Sequence, residues 1–230
     1  MASIELMTLS TIISIVVGVG LGVYTAQRQY QLPDRVWSGI ASVFMVIPTV
    51  VLAILVVFFA IEINMATGYR IFYVTGLSSY DGENVLLALV DFLQHIFLPT
   101  VVLTIISAVG YHLTQRTYLL DEMHADYVRT ARAKGLTRKQ AIRRHALRAS
   151  LIPTAVSVAF SIAGIFTGAV MTEKIFAIHG LGEYFVNCIN GNNVHGAVAV
   201  AAFSGACTLV GALLADLFAA AIDPRIKMMG

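Results

Sequence analysis

DEMHADYVRTARAKGLTRKQAIRRHALRASLIP, from Asp121 to Pro153, is a strongly basic stretch set between long apolar segments, and its reading decides the fold. It predicts two short helices joined by a sharp turn. Gly135 can adopt the left-handed conformation that closes a helix, and Leu136 supplies the accompanying hydrophobic contact. Thr137 with Gln140 fits a capping box that opens the next helix. Leu120, Met123, Tyr127 and Ala131 fall on one helical stripe, giving the first helix an apolar side to bury.

On either side the chain is apolar. Of 230 residues, 58% are hydrophobic and 12% charged, whereas a soluble domain carries about a quarter charged residues. Five segments, roughly Met7 to Ala26, Ile40 to Ile63, Ile96 to Gln115, Leu151 to Thr172 and Ala197 to Ile222, are each long enough to cross a bilayer as a helix. Unpaired backbone amides are too costly in hydrocarbon for anything but a helix or a closed barrel. The expected fold is therefore an all-α transmembrane bundle of about five spans, one membrane domain over residues 1–230 with a loop at about 117–150. Pro48 and Pro99 should kink two spans, and Pro153 should sit in a first helical turn.

The basic residues set the orientation, because cytoplasmic loops are enriched in Lys and Arg. Arg28 and Arg35 lie in the first loop, nine residues from Arg116 to Arg148 lie around the third, and Arg225 and Lys227 follow the last span. The alternate segments, Asn64 to His95 and Glu173 to Gly196, hold only Arg70 and Lys174. This predicts an external N-terminus and a cytoplasmic C-terminus in a multi-pass cell-membrane protein. The external segment Asn64 to His95, with Asp81, Glu83 and Asp91, reads as a structured loop in which Val85 to Val90 forms a short surface helix. MASIELM lacks the basic n-region of a secretory signal and is taken as mature sequence. Cys188, read as lying in a polar loop, and Cys207, in an apolar segment, match no disulfide or metal-ligand pattern. A net charge of +2 gives no reason to expect nucleic acid.

Three readings compete for the basic stretch. The charges can serve only topology and lipid headgroups; the helix, turn and helix can be weighed as a DNA-binding motif, though the pair lacks a third helix and a core. The third reading is a resemblance. YVRTARAKGL (Tyr127 to Leu136), HALR (His145 to Arg148) and LIP (Leu151 to Pro153), then EKIF (Glu173 to Phe176), GLG (Gly180 to Gly182) and DPR (Asp223 to Arg225), resemble in order the permeases of ABC importers of the dipeptide, oligopeptide and nickel branch, most closely their B-type subunit. The general motif of Glu-Ala-Ala, three residues and Gly reads here as Arg129, Thr130, Ala131 and Gly135, without the acid. The resemblance also implies a span ahead of the first one found here.

The resemblance implies a type I importer permease whose loop docks on a separate ATPase through Asp126, Tyr127, Arg129, Thr130, Ala131, Arg132, Ala133, Gly135 and Leu136. It implies an assembly with a second permease subunit, two ATPase domains, an extracytoplasmic substrate-binding protein and membrane lipid. The chain holds no GxxxxGK[ST] phosphate loop, so no cofactor is expected on it; ATP and Mg would sit on the ATPases. Peptides are the expected cargo, with nickel or another small solute as the alternative. Gly180 and Gly182 are expected to border the pathway mouth, their bare backbone admitting a close partner. Gly18 and Gly22, like Gly164 and Gly168, are read as close-packing positions, not a dinucleotide loop. Asp216 is expected either to line the pathway or to be half-solvated near the cytoplasmic end, and Tyr111 and His112 to anchor the interface. An intramembrane enzyme is disfavoured because no HExxH or GxSG occurs; a channel or secondary carrier is disfavoured by the lack of evident internal repeats.

Overall fold

The computed structural model describes residues 2–80, 82, 84–167 and 169–222. Asp81, Glu83, Gly168 and the DPR motif at Asp223 to Arg225 lie outside the described residues. Within them the chain is helical, with no strand: α1 (Ala2–Ala26), α2 (Leu32–Val46), α3 (Thr49–Thr67), α4 (Val85–Met123), α5 (Asp126–Ala133), α6 (Arg138–Ala141), a π-helical turn (Ile142–Ala146), α7 (Leu147–Thr167), α8 (Val170–Ile175), α9 (Leu181–Asn190) and α10 (Val194–Ile222). Among the described residues, five helical stretches are long and apolar enough to cross a membrane: Ile4–Ala26, Thr49–Thr67, Val85–Met123, Arg138–Ile162 and Val194–Leu217. The expected all-α architecture of about five spans is what the chain forms. Large apolar side chains such as Phe58, Phe59, Val198, Leu209 and Leu213 are exposed along α3 and α10, a surface that suits hydrocarbon and not water.

The structure corrects several boundaries. Pro48 does more than kink the second span. Residues 47 and 48 leave the helix, so α2 is a separate, more polar helix and the span begins at Thr49. Proline removes a backbone donor, and its ring disfavours helical geometry in the residue before it. Val85 to Val90 is the start of α4, not a separate surface helix, and α4 runs 39 residues with Pro99 inside it. At 1.5 Å per residue it is about 58 Å long, roughly twice the hydrocarbon thickness. Pro153 lies within α7, because the helix that carries it begins before the apolar run. Cys188 is buried on α9 and not in a loop.

Cα packing divides the chain into two compact units, whose boundaries fall at the end of α2 and within α1, α4, α7 and α10. The first comprises Met1–Ile12, Ile47–Ile106 and Ile162–Leu209. Here α8 packs on α3 and α9, and side chains on the flanking helices hold the connection from Gly68 to Tyr80. Asn64 Oδ1 accepts the backbone N–H groups of Ile71 and Phe72 at 2.9 and 3.0 Å, and its Nδ2 donates to Phe72 O at 2.7 Å. Asp91 accepts from Ser78 Oγ, Ser79 N and Ser79 Oγ at 2.7, 2.7 and 3.0 Å, and from Tyr80 N at 3.2 Å. The Phe72 ring stacks on Phe97, and the Tyr73 ring lies tilted against His95 with centroids 4.4 Å apart.

The second unit comprises Ile13–Val46, Ser107–Ser161 and Val210–Gly230. Gly18 and Gly22 let α1 approach α4: a Cβ on Gly18 would lie 2.6 Å from Ala108 O, and one on Gly22 2.8 Å from His112 O. A Cβ on Gly164, which belongs to the first unit, would by contrast meet nothing within 4 Å. Buried polar side chains tie the same helices together. Thr25 Oγ1 and His112 Nε2 share a 3.0 Å hydrogen bond. Gln115, fully buried, donates to Ser150 Oγ at 3.0 Å and accepts from Thr154 Oγ1. His112 is therefore an internal link, not an interfacial anchor, and Tyr111 donates to Ser161 Oγ on α7. A hydroxyl or imidazole without a partner is expensive in an apolar bundle, and pairing across helices removes that cost.

Candidate functional site

The basic stretch forms a compact helical hairpin. At the end of α4 the chain turns through His124 and Ala125, whose backbone N–H groups bond to Asp121 O and Glu122 O at 3.2 and 3.3 Å. That turn breaks the predicted stripe. Leu120 and Met123 stay on α4, and the buried residues of α5 are Val128 and Ala131, while Tyr127 is exposed and donates to Glu122. Partial burial of the Tyr127 hydroxyl, together with the adjacent Glu122 carboxylate, pushes its ionisation above the usual phenol range.

The turn itself is built as the sequence predicts. Gly135 has φ +95°. Its N–H bonds to Arg132 O at 3.0 Å and the N–H of Leu136 reaches back to Ala131 O at 3.3 Å, the two bonds of a Schellman closure. A Cβ on Gly135 would meet nothing within 4 Å, so what favours glycine there is the backbone conformation and not a lack of space. Thr137 then caps α6: Gln140 N donates to Thr137 Oγ1 at 3.3 Å and Thr137 N to Gln140 Oε1 at 3.0 Å.

Under the hairpin lies an apolar seat. Ala26 of α1, Leu119 of α4, Val128 and Ala131 of α5, Ala141 of α6, and Ile142 and Ala146 of the π-helical turn form one buried cluster, with Val23, Leu120, Met123, Leu136 and Leu147 packed around it. Ile142 and Ala146 of the π-helical turn face this seat, and Arg143, Arg144 and His145 stay outside. Such single-turn bulges are frequent at functional sites. The site residues predicted from sequence therefore fall into two groups. Asp126, Tyr127, Arg129, Thr130, Arg132, Ala133 and Gly135 are on the exposed side, whereas Ala131 is buried and Leu136 half-buried against the seat.

A further tie was not anticipated. Arg116 Nε and Nη2 donate to Asp34 Oδ1 and Oδ2 at 2.6 and 2.9 Å, a two-point ion pair joining α4 to the start of α2. Asp34 is buried and also accepts from Tyr30 N at 2.8 Å and Ser38 Oγ at 3.2 Å. The Arg116 guanidinium, aided by these bonds, holds the Asp34 carboxyl below its usual range despite its burial. The signal in the sequence was an isolated acid between Arg28 and Arg35, in a loop read for its basic residues.

The other glycine pair lies elsewhere. Gly182, at the start of α9, is buried, and a Cβ there would lie 2.7 Å from Val170 Cα, so α8 is the element it lets approach. Gly180 precedes α9 and its N–H bonds to Ile178 O at 2.8 Å. Glu173 of the EKIF motif is completely buried and accepts from Ala169 N at 3.2 Å and Glu183 N at 3.1 Å, clasping the starts of α8 and α9. Asp216 is exposed on α10, next to the buried Ala215.

The model of the family described as binding-protein-dependent transport system inner membrane component matches residues 18–228. An oligopeptide transport system permease protein, OppB, of Mycobacterium bovis is 41% identical over 98% of this chain and 70% of its own length. A dipeptide transport system permease protein, DppB, of Bacillus subtilis is 30% identical over 98% of this chain and 68% of its own. An oligopeptide transport system permease protein of the same organism, AppB, is 29% identical over 96% and 68%.

Proposed function

The chain belongs to the family of binding-protein-dependent transport system inner membrane components, and we propose that it is the permease subunit of an ATP-driven peptide importer in which the hairpin is the docking point for a separate ATPase. The observation that carries this reading is the apolar seat. It gathers side chains from α1, α4, α5, α6, the π-helical turn and α7 into one cluster. A partner that displaces the exposed side of the hairpin therefore pushes directly on the ends of three membrane helices. Well-packed interiors transmit such a displacement because they compress little.

In this reading the N-terminus is external and the C-terminus cytoplasmic, which puts the hairpin beside cytosolic ATPases that hold ATP and Mg. The chain works with a second permease and an extracytoplasmic binding protein that delivers the peptide. ATP binding closes the ATPases, the docked hairpin moves, and the spans open to accept cargo. Gly180 and Gly182, with the clasp at Glu173, border the outer mouth.

Copurification decides the matter: tagged chain expressed with its transport system brings down an ATPase subunit, and vesicles containing the assembly accumulate peptide only with ATP. Capture of no ATPase under conditions where the chain is intact would sink the reading. A tag before Met7 should be accessible from outside and one after Met229 only from the cytosol.

A further inference from the structure

Within the second unit a cavity of about 310 Å3 opens between α4 and α7, at the lower end of the range for ligand sites, about 300–1,000 Å3. Its wall is Ser107, Tyr111 and Thr114 from α4 and Thr154, Ser157 and Ser161 from α7, with Gly110 between them. Every lining residue except the glycine carries a hydroxyl, and none carries a charge. Both helical stretches belong to candidate spans that are otherwise rich in Val, Ile, Leu and Ala.

Six hydroxyls gathered on one hollow are hard to explain by contact with lipid, since polar groups in a span turn toward protein or a water-filled passage. Two of them are satisfied along their own helix, Ser157 Oγ donating to Pro153 O at 3.1 Å and Ser161 Oγ to Ser157 O at 3.0 Å. Thr154 donates to Gln115 and Tyr111 to Ser161. These bonds occupy donors and leave hydroxyl oxygens with acceptor capacity toward the hollow. They also hold the wall in place without any solute.

Building on the peptide-importer reading, we propose that this hollow is a station on the solute pathway where the backbone amides of a passing peptide exchange water for hydroxyl partners. An oxygen held this way accepts a peptide N–H without giving up its own bond, whereas donating to a peptide C=O would require the hydroxyl to turn from its present acceptor. With no charge in the wall, the station does not sort peptides by their side chains. That suits a passage whose cargo shares a backbone and little else.

The test uses the assembled transporter in vesicles. Ser157→Cys should react with a small, charged, membrane-impermeant thiol reagent at least tenfold faster than Leu213→Cys on the exposed apolar face of α10, and a tripeptide cargo should slow that reaction. Ser157→Ala combined with Ser161→Ala should raise the KM for uptake of acidic, neutral and basic tripeptides alike, by about tenfold for two lost hydrogen bonds, while Ser157→Thr stays near wild type. Labelling no faster at Ser157→Cys than at Leu213→Cys would show a hollow sealed by lipid or a second subunit and overturn the proposal. So would fast labelling with an unchanged KM in the double variant, or a tenfold change confined to one charge class. If the unsubstituted assembly imports no peptide at all, the importer reading falls and takes the peptide with it, while the labelling rates still report whether the hollow is open to water.

Discussion

Two non-spanning segments of this chain are ordered by opposite means. The hairpin from Asp126 to Ala141 is folded by its own backbone chemistry: a left-handed glycine, two reaching-back amides and a reciprocal Thr137–Gln140 cap, all within a few residues of one another. The connection from Gly68 to Tyr80 has little such chemistry. Its order is supplied by Asn64 and Asp91, one on each flanking helix, which between them collect the amides and hydroxyls of Ile71, Phe72, Ser78, Ser79 and Tyr80. The start of α2 follows the second pattern, pinned by Asp34 to an arginine 82 residues away. Local devices survive perturbation of the rest of the fold; remote ties depend on the helices already being in register.

The largest effect should come from a remote tie. Asp34→Ala leaves Arg116 partly buried without its carboxylate, a loss on the order of 3 kcal/mol, visible as a fall in Tm of the detergent-solubilised chain. The pH dependence has a defined sign. The folded-state carboxyl is held below its ordinary value, so its stabilisation is fully present above the ordinary carboxylate pKa and is lost as pH falls through the lowered folded value. Asp34→Asn should therefore lower Tm near neutrality and shrink the acid-side loss. Equal acid sensitivity in both proteins would remove Asp34 from the account.

Asp91→Ala should next loosen the connection without unfolding the spans. Limited proteolysis should cut between residues 76 and 84 much faster than in wild type, while the hairpin region keeps its rate. Matching acceleration at both places would mean that the two segments are not independently ordered.

How much of this was legible follows from the same contrast. The hairpin's glycine, cap and seat at Ala131 were readable because each device lies within five residues of its partner. Tyr127 was misplaced because the turn at His124–Ala125, which carries no glycine or proline, resets the helical phase. The five spans were readable from apolar length, yet Pro48 splits one apolar run into two helices and the connection's last apolar run fuses into α4. Asp34–Arg116, Glu173 with the amides of Ala169 and Glu183, and the hydroxyls on α4 and α7 depend on which faces meet, a fact that periodicity alone does not carry.

Within the hairpin the expected effects are smaller and separable. Gly135→Val forces a β-branched residue to φ +95°, costing about 1 to 2 kcal/mol. The position has open space, so the cost is conformational, and Gly135→Asn, which tolerates positive φ, should be clearly milder. Valine should leave the chain in the membrane yet weaken ATPase association or uncouple hydrolysis from uptake. Valine and asparagine behaving alike would show that side-chain bulk, not backbone geometry, matters there. Thr137→Ala removes the cap of α6 and should cost about 1 kcal/mol, read as faster hydrogen exchange over Arg138 to Ala141.

Arg138→Ala should do least, and its smallness is informative. Arg138 is exposed at the first position of α6, where a cation faces the positive end of the helix dipole, so its removal is expected within about 0.5 kcal/mol of neutral and not necessarily downward. It leaves the Gly135 closure and the Thr137 cap untouched. If docking depends on the angle between α5 and α6, ATPase binding and transport should be near wild type in Arg138→Ala and impaired in Gly135→Val. The reverse order, with Arg138→Ala abolishing ATPase capture and Gly135→Val preserving it, would mean that the partner reads the charge on the outer face and that the locally built turn merely carries it.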